Sequence, residues 1–161
     1  MHLYRYQGDD RPPEIIDVGL VGEVQRVDVE ILEILEKSDL IPVIAPVGVG
    51  REGETYNINA DLVAGHVAAA LKAEKLILMT DVAGVMDAEG RLIATMNVAE
   101  AADLMQDEVL KGGMIPKVQC AIDALQSGVE KVHIVDGRKP HAVLLEIFTD
   151  AGVGTEIVRK R

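Results

Sequence analysis

Tryptophan is absent from these 161 residues, phenylalanine occurs once and tyrosine three times. Binders of single-stranded nucleic acid stack bases on such rings, so that function lacks its usual material and the core has to be aliphatic. Cysteine occurs once, at Cys120, which excludes an internal disulfide and suits a reducing cytoplasm. Basic side chains number 16 against 27 acidic ones, a formal net charge of -11, and they do not cluster. Nucleic acid and anionic membrane are therefore not expected partners. No apolar run approaches the roughly 20 residues of a membrane-spanning helix, and no apolar signal region follows Met1. The four histidines, His2, His66, His133 and His141, lie far apart with no pair at helical ligand spacing, so no metal site is expected.

Hydrophobic residues make up 48% of the sequence, enough for one globular domain with a sizeable core. Residues 1–14 carry Gly8, Pro12 and Pro13 without apolar periodicity and are expected to be a mobile arm or linker. Residues 15–27 have a strand-like pattern, and Asp28 is placed to cap a helix whose apolar face is Val29, Leu32, Ile34 and Leu35. The run 40–47, rich in valine and isoleucine, predicts a buried parallel strand. Helical spacing over 59–71, a buried strand at 75–80 and a hairpin excursion over 81–93 with its tip at 87–90 follow. Asn97 and Glu100 have the spacing of a capping box. The periodicity over 114–126 predicts another helix, closed by Gly128; a strand at 131–135, a helix at 141–148 and a last strand at 153–158 complete the chain.

Strands alternating with helices predict an α/β fold with a mainly parallel sheet and helices on both faces. In such sheets ligands bind beyond the carboxyl ends of the strands. Three polar clusters follow a strand or open a helix: Asn57, Asn59 and Asp61; Thr80, Asp81 and Gly84; and Lys111, Gly112, Gly113 and Lys117. A glycine pair ahead of a helix, flanked by lysines, offers backbone N–H groups, a helix dipole and fixed cations to a phosphoryl group. The same pattern also fits a plain loop with two solvated lysines. Asn59 and Asp61 fit helix capping as well as a binding site, and Cys120 fits an inert core position. Neither GxxxxGK[ST] nor GxGxxG is present, so a P-loop and a standard dinucleotide fold are not expected.

Six segments appear in an order and at spacings that resemble the acetylglutamate kinase family. They are Asp17-Val-Gly-Leu-Val-Gly-Glu-Val24, Ile41-Pro-Val-Ile-Ala-Pro46, Tyr56-Asn-Ile-Asn-Ala-Asp61, Leu78-Met-Thr-Asp-Val-Ala-Gly-Val85, Gly112-Gly-Met-Ile-Pro-Lys117 and Phe148-Thr-Asp-Ala-Gly-Val-Gly-Thr155. The resemblance covers about Asp17 to Arg159 and implies the three-layer α/β/α sandwich of the amino acid kinases. It also implies transfer of the ATP γ-phosphoryl to the side-chain carboxylate of N-acetyl-L-glutamate in arginine biosynthesis, with ATP and Mg²⁺ as cofactors and a homo-oligomeric intact enzyme. Family members are close to twice this length. The chain resembles their carboxy-terminal, nucleotide-binding half, assigned to 15–161, with the amino-terminal half missing.

Carried over position by position, the resemblance makes Asp61 and Lys117 catalytic and gives Asn57 and Asn59 to the acceptor substrate. Thr80, Asp81, Val82, Gly84, Val85 and Met86, with Val109, Leu110 and Lys111, would line the nucleotide site. His133, Glu146 and Gly152 match positions that mark arginine-inhibited members. The alternatives are another amino acid kinase, such as a glutamate 5-kinase or uridylate kinase relative, and a non-catalytic nucleotide- or arginine-binding module. An ionised glutamate carboxylate, with a pKa of about 4.3, needs no general base at neutral pH. Asp61 would therefore organise rather than deprotonate.

Overall fold

The computed structural model describes residues 2–4, 14–16, 19–149 and 152–159. In chain order the elements are β1 (His2–Tyr4), β2 (Glu14–Ile16), α1 (Glu30–Lys37), β3 (Val47–Val49), β4 (Thr55–Asn57), α2 (Ala60–Ala70), β5 (Lys75–Thr80), β6 (Thr95–Asn97), α3 (Val98–Gln106), α4 (Met114–Gln126), β7 (Lys131–Asp136), α5 (Ala142–Phe148) and β8 (Gly154–Val158). The central sheet has the order β5-β7-β8-β6, with β5/β7 and β6/β8 parallel and β7/β8 antiparallel. It is mixed and mostly parallel, as an α/β reading requires.

Side-chain alternation along β7 explains the layers. Val132 and Ile134 are fully buried and join Val118, Ala121 and Leu125 of α4, Leu76 and Leu78 of β5 and Ile157 of β8 in one aliphatic cluster. Burial of each Leu, Val or Ile contributes roughly 1.5–3 kcal/mol. His133 points to the opposite face, where Glu146 of α5 meets it. Helices α2, α3 and α4 therefore cover one face and α5 the other, giving the three layers.

Local chemistry fixes the helix starts. The Asn59 side-chain oxygen accepts from the amides of Asp61 and Leu62, at 2.9 and 3.3 Å, and opens α2. Asn97 and Glu100 form a complete capping box at α3, with each side chain bonded to the other residue's backbone amide. In the excursion 81–93, Met86 pairs with Leu92 and the Asp87 carboxylate accepts from the amides of Glu89 and Arg91. These three expectations hold.

The first third departs from expectation. Backbone at His2–Tyr4 forms an antiparallel ladder with Glu14–Ile16, so a strand stands inside the stretch taken for a loop; residues 5–13 lie outside the described residues. Among the described residues of 15–27, the expected strand reduces to the end of β2 and a single bridge between Val21 and Asn57. Val29 and not Asp28 is the N-cap of α1, and the Asp28 carboxylate accepts from the Glu30 amide at 3.2 Å just ahead of it. Residues 40–46 are not a buried parallel strand. Ile41 is 91% and Val43 96% exposed, and only Val47–Val49 pairs, antiparallel to Thr55–Asn57. A buried parallel strand needs neighbouring strands and a helix layer on both faces. The described residues supply none beside 40–46, so the sequence there has strand composition without a sheet to enter. No helix among the described residues is long and apolar enough to cross a membrane.

Candidate active site

Short connections set the geometry. Helix α2 reaches β5 through 71–74 and α4 reaches β7 through 127–130, so each helix runs back along the strand that follows it. The N-termini of α2 and α4 consequently lie at the carboxyl-end edge of β5 and β7, which pair in parallel as far as Thr80 and Asp136. That edge is where an open α/β sheet takes its ligands.

The two residues assigned to catalysis meet there. The Lys117 Nζ lies 2.9 Å from both carboxylate oxygens of Asp61, 56 positions away in sequence. The side chains are 17% and 22% exposed, so the pair is shielded yet open to a ligand on one side. Gly65 makes the approach of α2 to α4 possible, because a Cβ there would sit 2.8 Å from the Cys120 Sγ. The Cys120 thiol donates to the Asp61 carbonyl oxygen at 2.9 Å and ties the same two helices together. Burial, and then the charge of Asp61, pushes that thiol up to about 11, which keeps it protonated and inert as a nucleophile.

Around the pair, Gly113 is the N-cap of α4, and neither a capping side chain nor an acidic first-turn residue occupies that helix start. Positive backbone potential is thereby left open toward the edge. Lys111 is exposed beside it, Leu110 is buried and Val109 is half-buried. Thr80, the last residue of β5, is half-buried; beyond the strand Asp81 is exposed, Val82 is 41% exposed, and Gly84 and Val85 turn inward with Met86 half-buried. Asn57 ends β4 with an exposed side chain, while its backbone bonds to Leu20 and Gly22. Asn59 sits two residues on, with its oxygen engaged in the cap.

His133, Glu146 and Gly152 gather elsewhere, on the α5 face, around a cavity of about 660 Å³ that Lys75, Lys131 and Glu156 also line. His133 bonds Glu146 through Nδ1, and its buried Nε2 has no hydrogen-bond partner. Glu146 also accepts from the Val153 amide at 2.9 Å.

Two features escaped sequence reasoning. Asp136, at the end of β7, holds Arg138 through both side chain and backbone, and that guanidinium keeps the carboxyl at about 2. Its signal was an acidic residue closing a buried strand beside the same edge. Thr155 is fully buried and bonded to the excursion, as taken up below. Among the described residues no three His, Cys, Asp or Glu side chains group as a metal site.

The fold is thus a mostly parallel α/β sandwich that sets a lysine–carboxylate pair between two helix starts at its strand ends. The family model described as "Amino acid kinase family" matches residues 4–136, and the chain belongs to that family. It is 77% identical, over its whole length, to a protein of Syntrophobacter fumaroxidans named acetylglutamate kinase. It is 57% identical over 157 residues, 98% of this chain, to the protein of that name from Geobacter sulfurreducens. It covers 54% of each, so the chain spans about half the length of the curated relatives it matches. Among solved structures, N-acetylglutamate synthase from Neisseria gonorrhoeae complexed with coenzyme A and L-arginine superposes with a TM-score of 0.83 at 30% identity, over 90% of this chain and 34% of that one.

Proposed function

We propose that the chain is the nucleotide-binding half of an acetylglutamate kinase, working with the remaining half to move the ATP γ-phosphoryl to the side-chain carboxylate of N-acetyl-L-glutamate. The observation that carries this reading is the Lys117–Asp61 pair, set between two helix N-termini at the carboxyl ends of β5 and β7. Residue matches to relatives named for that reaction support the choice of acceptor.

The chemistry follows from charge. A carboxylate oxygen of the acceptor bonds to the γ-phosphorus while the bond from that phosphorus to the β,γ-bridging oxygen breaks, and ADP leaves with the electron pair. No proton has to be removed, since the acceptor is ionised at neutral pH. What opposes the step is repulsion between two anions, and cations and helix dipoles at fixed positions offset it. Lys117 is assigned to the transferring phosphoryl, and Asp61 to holding the Lys117 Nζ in place. Thr80 to Met86 and Val109 to Lys111 take the nucleotide, and Asn57 the acceptor. Mg²⁺ bound to the nucleotide phosphates would offset part of their charge. The inert Cys120 suits a cytoplasmic enzyme, and the family resemblance carries a homo-oligomeric intact enzyme into the proposal.

Ligand-dependent melting of the chain tests the nucleotide reading. ATP with Mg²⁺ at ten times its Kd is expected to add about 1.4 kcal/mol, a rise of about 3–6 °C. The absence of any rise at every ATP concentration would remove this reading.

The cavity on the α5 face favours a second, regulatory role for the same chain. Its carboxylates, Glu146, which His133 holds, and Glu156, 3.8 Å from the His133 Nε2, suit a guanidinium, which binds carboxylates through a planar fork of donors. L-Arginine is accordingly expected to raise the melting temperature of the wild-type chain, and Glu146→Gln to abolish the rise. An equal rise in both proteins would place arginine elsewhere.

A further inference from the structure

Thr155 lies in β8, 70 positions from the loop that follows β5, and its side chain is fully buried. Its hydroxyl accepts from the Val85 amide at 2.8 Å and donates to the Ile93 carbonyl at 2.7 Å. Those two groups sit at the base of the hairpin, beyond the 81–83 crest that leads out of β5, and the Ile93 amide to Val85 carbonyl bond also closes that base, at 2.9 Å. One hydroxyl thus uses its donor and an acceptor lone pair to pin both legs of the excursion to the core sheet.

The pin divides the loop into a root and a crest. Val85 is fully buried, whereas Val82, three residues earlier, is 41% exposed. Gly84 makes the bend between them at φ +148, and a Cβ there would lie 2.7 Å from the Thr155 Oγ1 and 2.7 Å from Leu92 Cδ1. The loop therefore passes Thr155 at a distance only glycine permits, with its crest held out at the carboxyl end of β5.

We propose that Thr155 is a positioning residue for nucleotide binding: its paired hydrogen bonds to Val85 and Ile93 fix the height and direction of the 81–83 crest, so that the crest meets the nucleotide without first having to be ordered. This rests on the nucleotide reading above. Thr155→Val keeps the branched shape, removes both hydrogen bonds and leaves a buried N–H and a buried C=O without partners, which drives the loop to shift. Thr155→Ser keeps the hydroxyl and loses only a methyl group.

The test uses the full 161-residue chain, titrated with ATP and Mg²⁺ and followed by NMR, with amide hydrogen exchange at Val85 and a thermal melt on the same samples. Thr155→Val is expected to raise the Kd for ATP about tenfold well below its melting temperature. Val85 should exchange about 10–100 times faster, with core amides of α4 and β7 unchanged. Thr155→Ser should bind within about twofold of wild type, a change under the roughly 1.4 kcal/mol that a tenfold effect represents. A Thr155→Val chain that melts earlier but binds ATP like wild type overturns the proposal and leaves the nucleotide reading standing. Failure of the wild-type chain to bind ATP overturns both. If Thr155→Val does not fold, Thr155→Ala, which also removes the hydroxyl and leaves space at its place, is titrated instead: ATP binding weakened about tenfold there, with Thr155→Ser normal, supports the role, and binding like wild type overturns it.

Discussion

Replacing Lys117 by alanine is expected to lower kcat by about 10²–10³-fold, the scale seen when one group that stabilises transition-state charge is removed. The measurement needs a complete subunit, made as a chimaera in which this chain replaces the matching 54% of the Syntrophobacter fumaroxidans relative. The size of the effect follows from position. Lys117 is 17% exposed and held at 2.9 Å by both Asp61 oxygens, so no water and no mobile surface lysine offers the same charge at the same point. The fold should survive, because the aliphatic core lies beneath the pair and not through it. Steady-state rates and a melt on one preparation separate the two effects. A folded variant keeping more than about a tenth of the wild-type rate would contradict the role, since one decade is only about 1.4 kcal/mol.

The second large effect is expected at Asp61. Asp61→Asn keeps the size of the side chain and its place in the first turn of α2, but a neutral amide no longer fixes the ammonium group. A fall in kcat of about 10²-fold with KM for the acceptor nearly unchanged is the expected pattern, because misplacement of a catalytic group acts on the transition state. The α2 start itself should stay intact, since Asn59 and not Asp61 caps that helix. Should KM rise while kcat holds, Asp61 would belong to acceptor binding. Should neither change, the pair would be a structural ion pair between α2 and α4.

What the sequence made legible were elements that carry their own punctuation. Helices α2 and α3 begin at Asn59 and Asn97, whose side chains do the capping, and β5 and β7 are short runs whose apolar side chains pack on the helices that precede them. The run 40–46 was misleading because strand composition does not state whether a partner strand exists, and Ile41 and Val43 stand exposed without one. The site divided in the same way. Lys117 and Asp61 were assigned by resemblance from clusters with ambiguous local readings, and the geometry brings them together. The Asn59 oxygen is used by the helix start, the capping that the sequence also allowed at that position. Thr155 closes the sixth segment of the resemblance, yet its role gave no signal, because a β-branched residue in a strand is what packing alone would select. Only its long-range bonds to Val85 and Ile93 set it apart, and spacing along the chain does not encode them.

The acceptor assay on the chimaera tests the central claim most directly. ATP, Mg²⁺ and N-acetyl-L-glutamate are supplied, and the acyl phosphate is trapped with hydroxylamine as the hydroxamate. The account predicts ATP-dependent hydroxamate from N-acetyl-L-glutamate, with free glutamate giving little or none and with uridylate, which has no carboxylate to trap, giving no UDP. A folded chimaera that binds ATP and forms no hydroxamate from N-acetyl-L-glutamate, or forms as much from free glutamate, would contradict it.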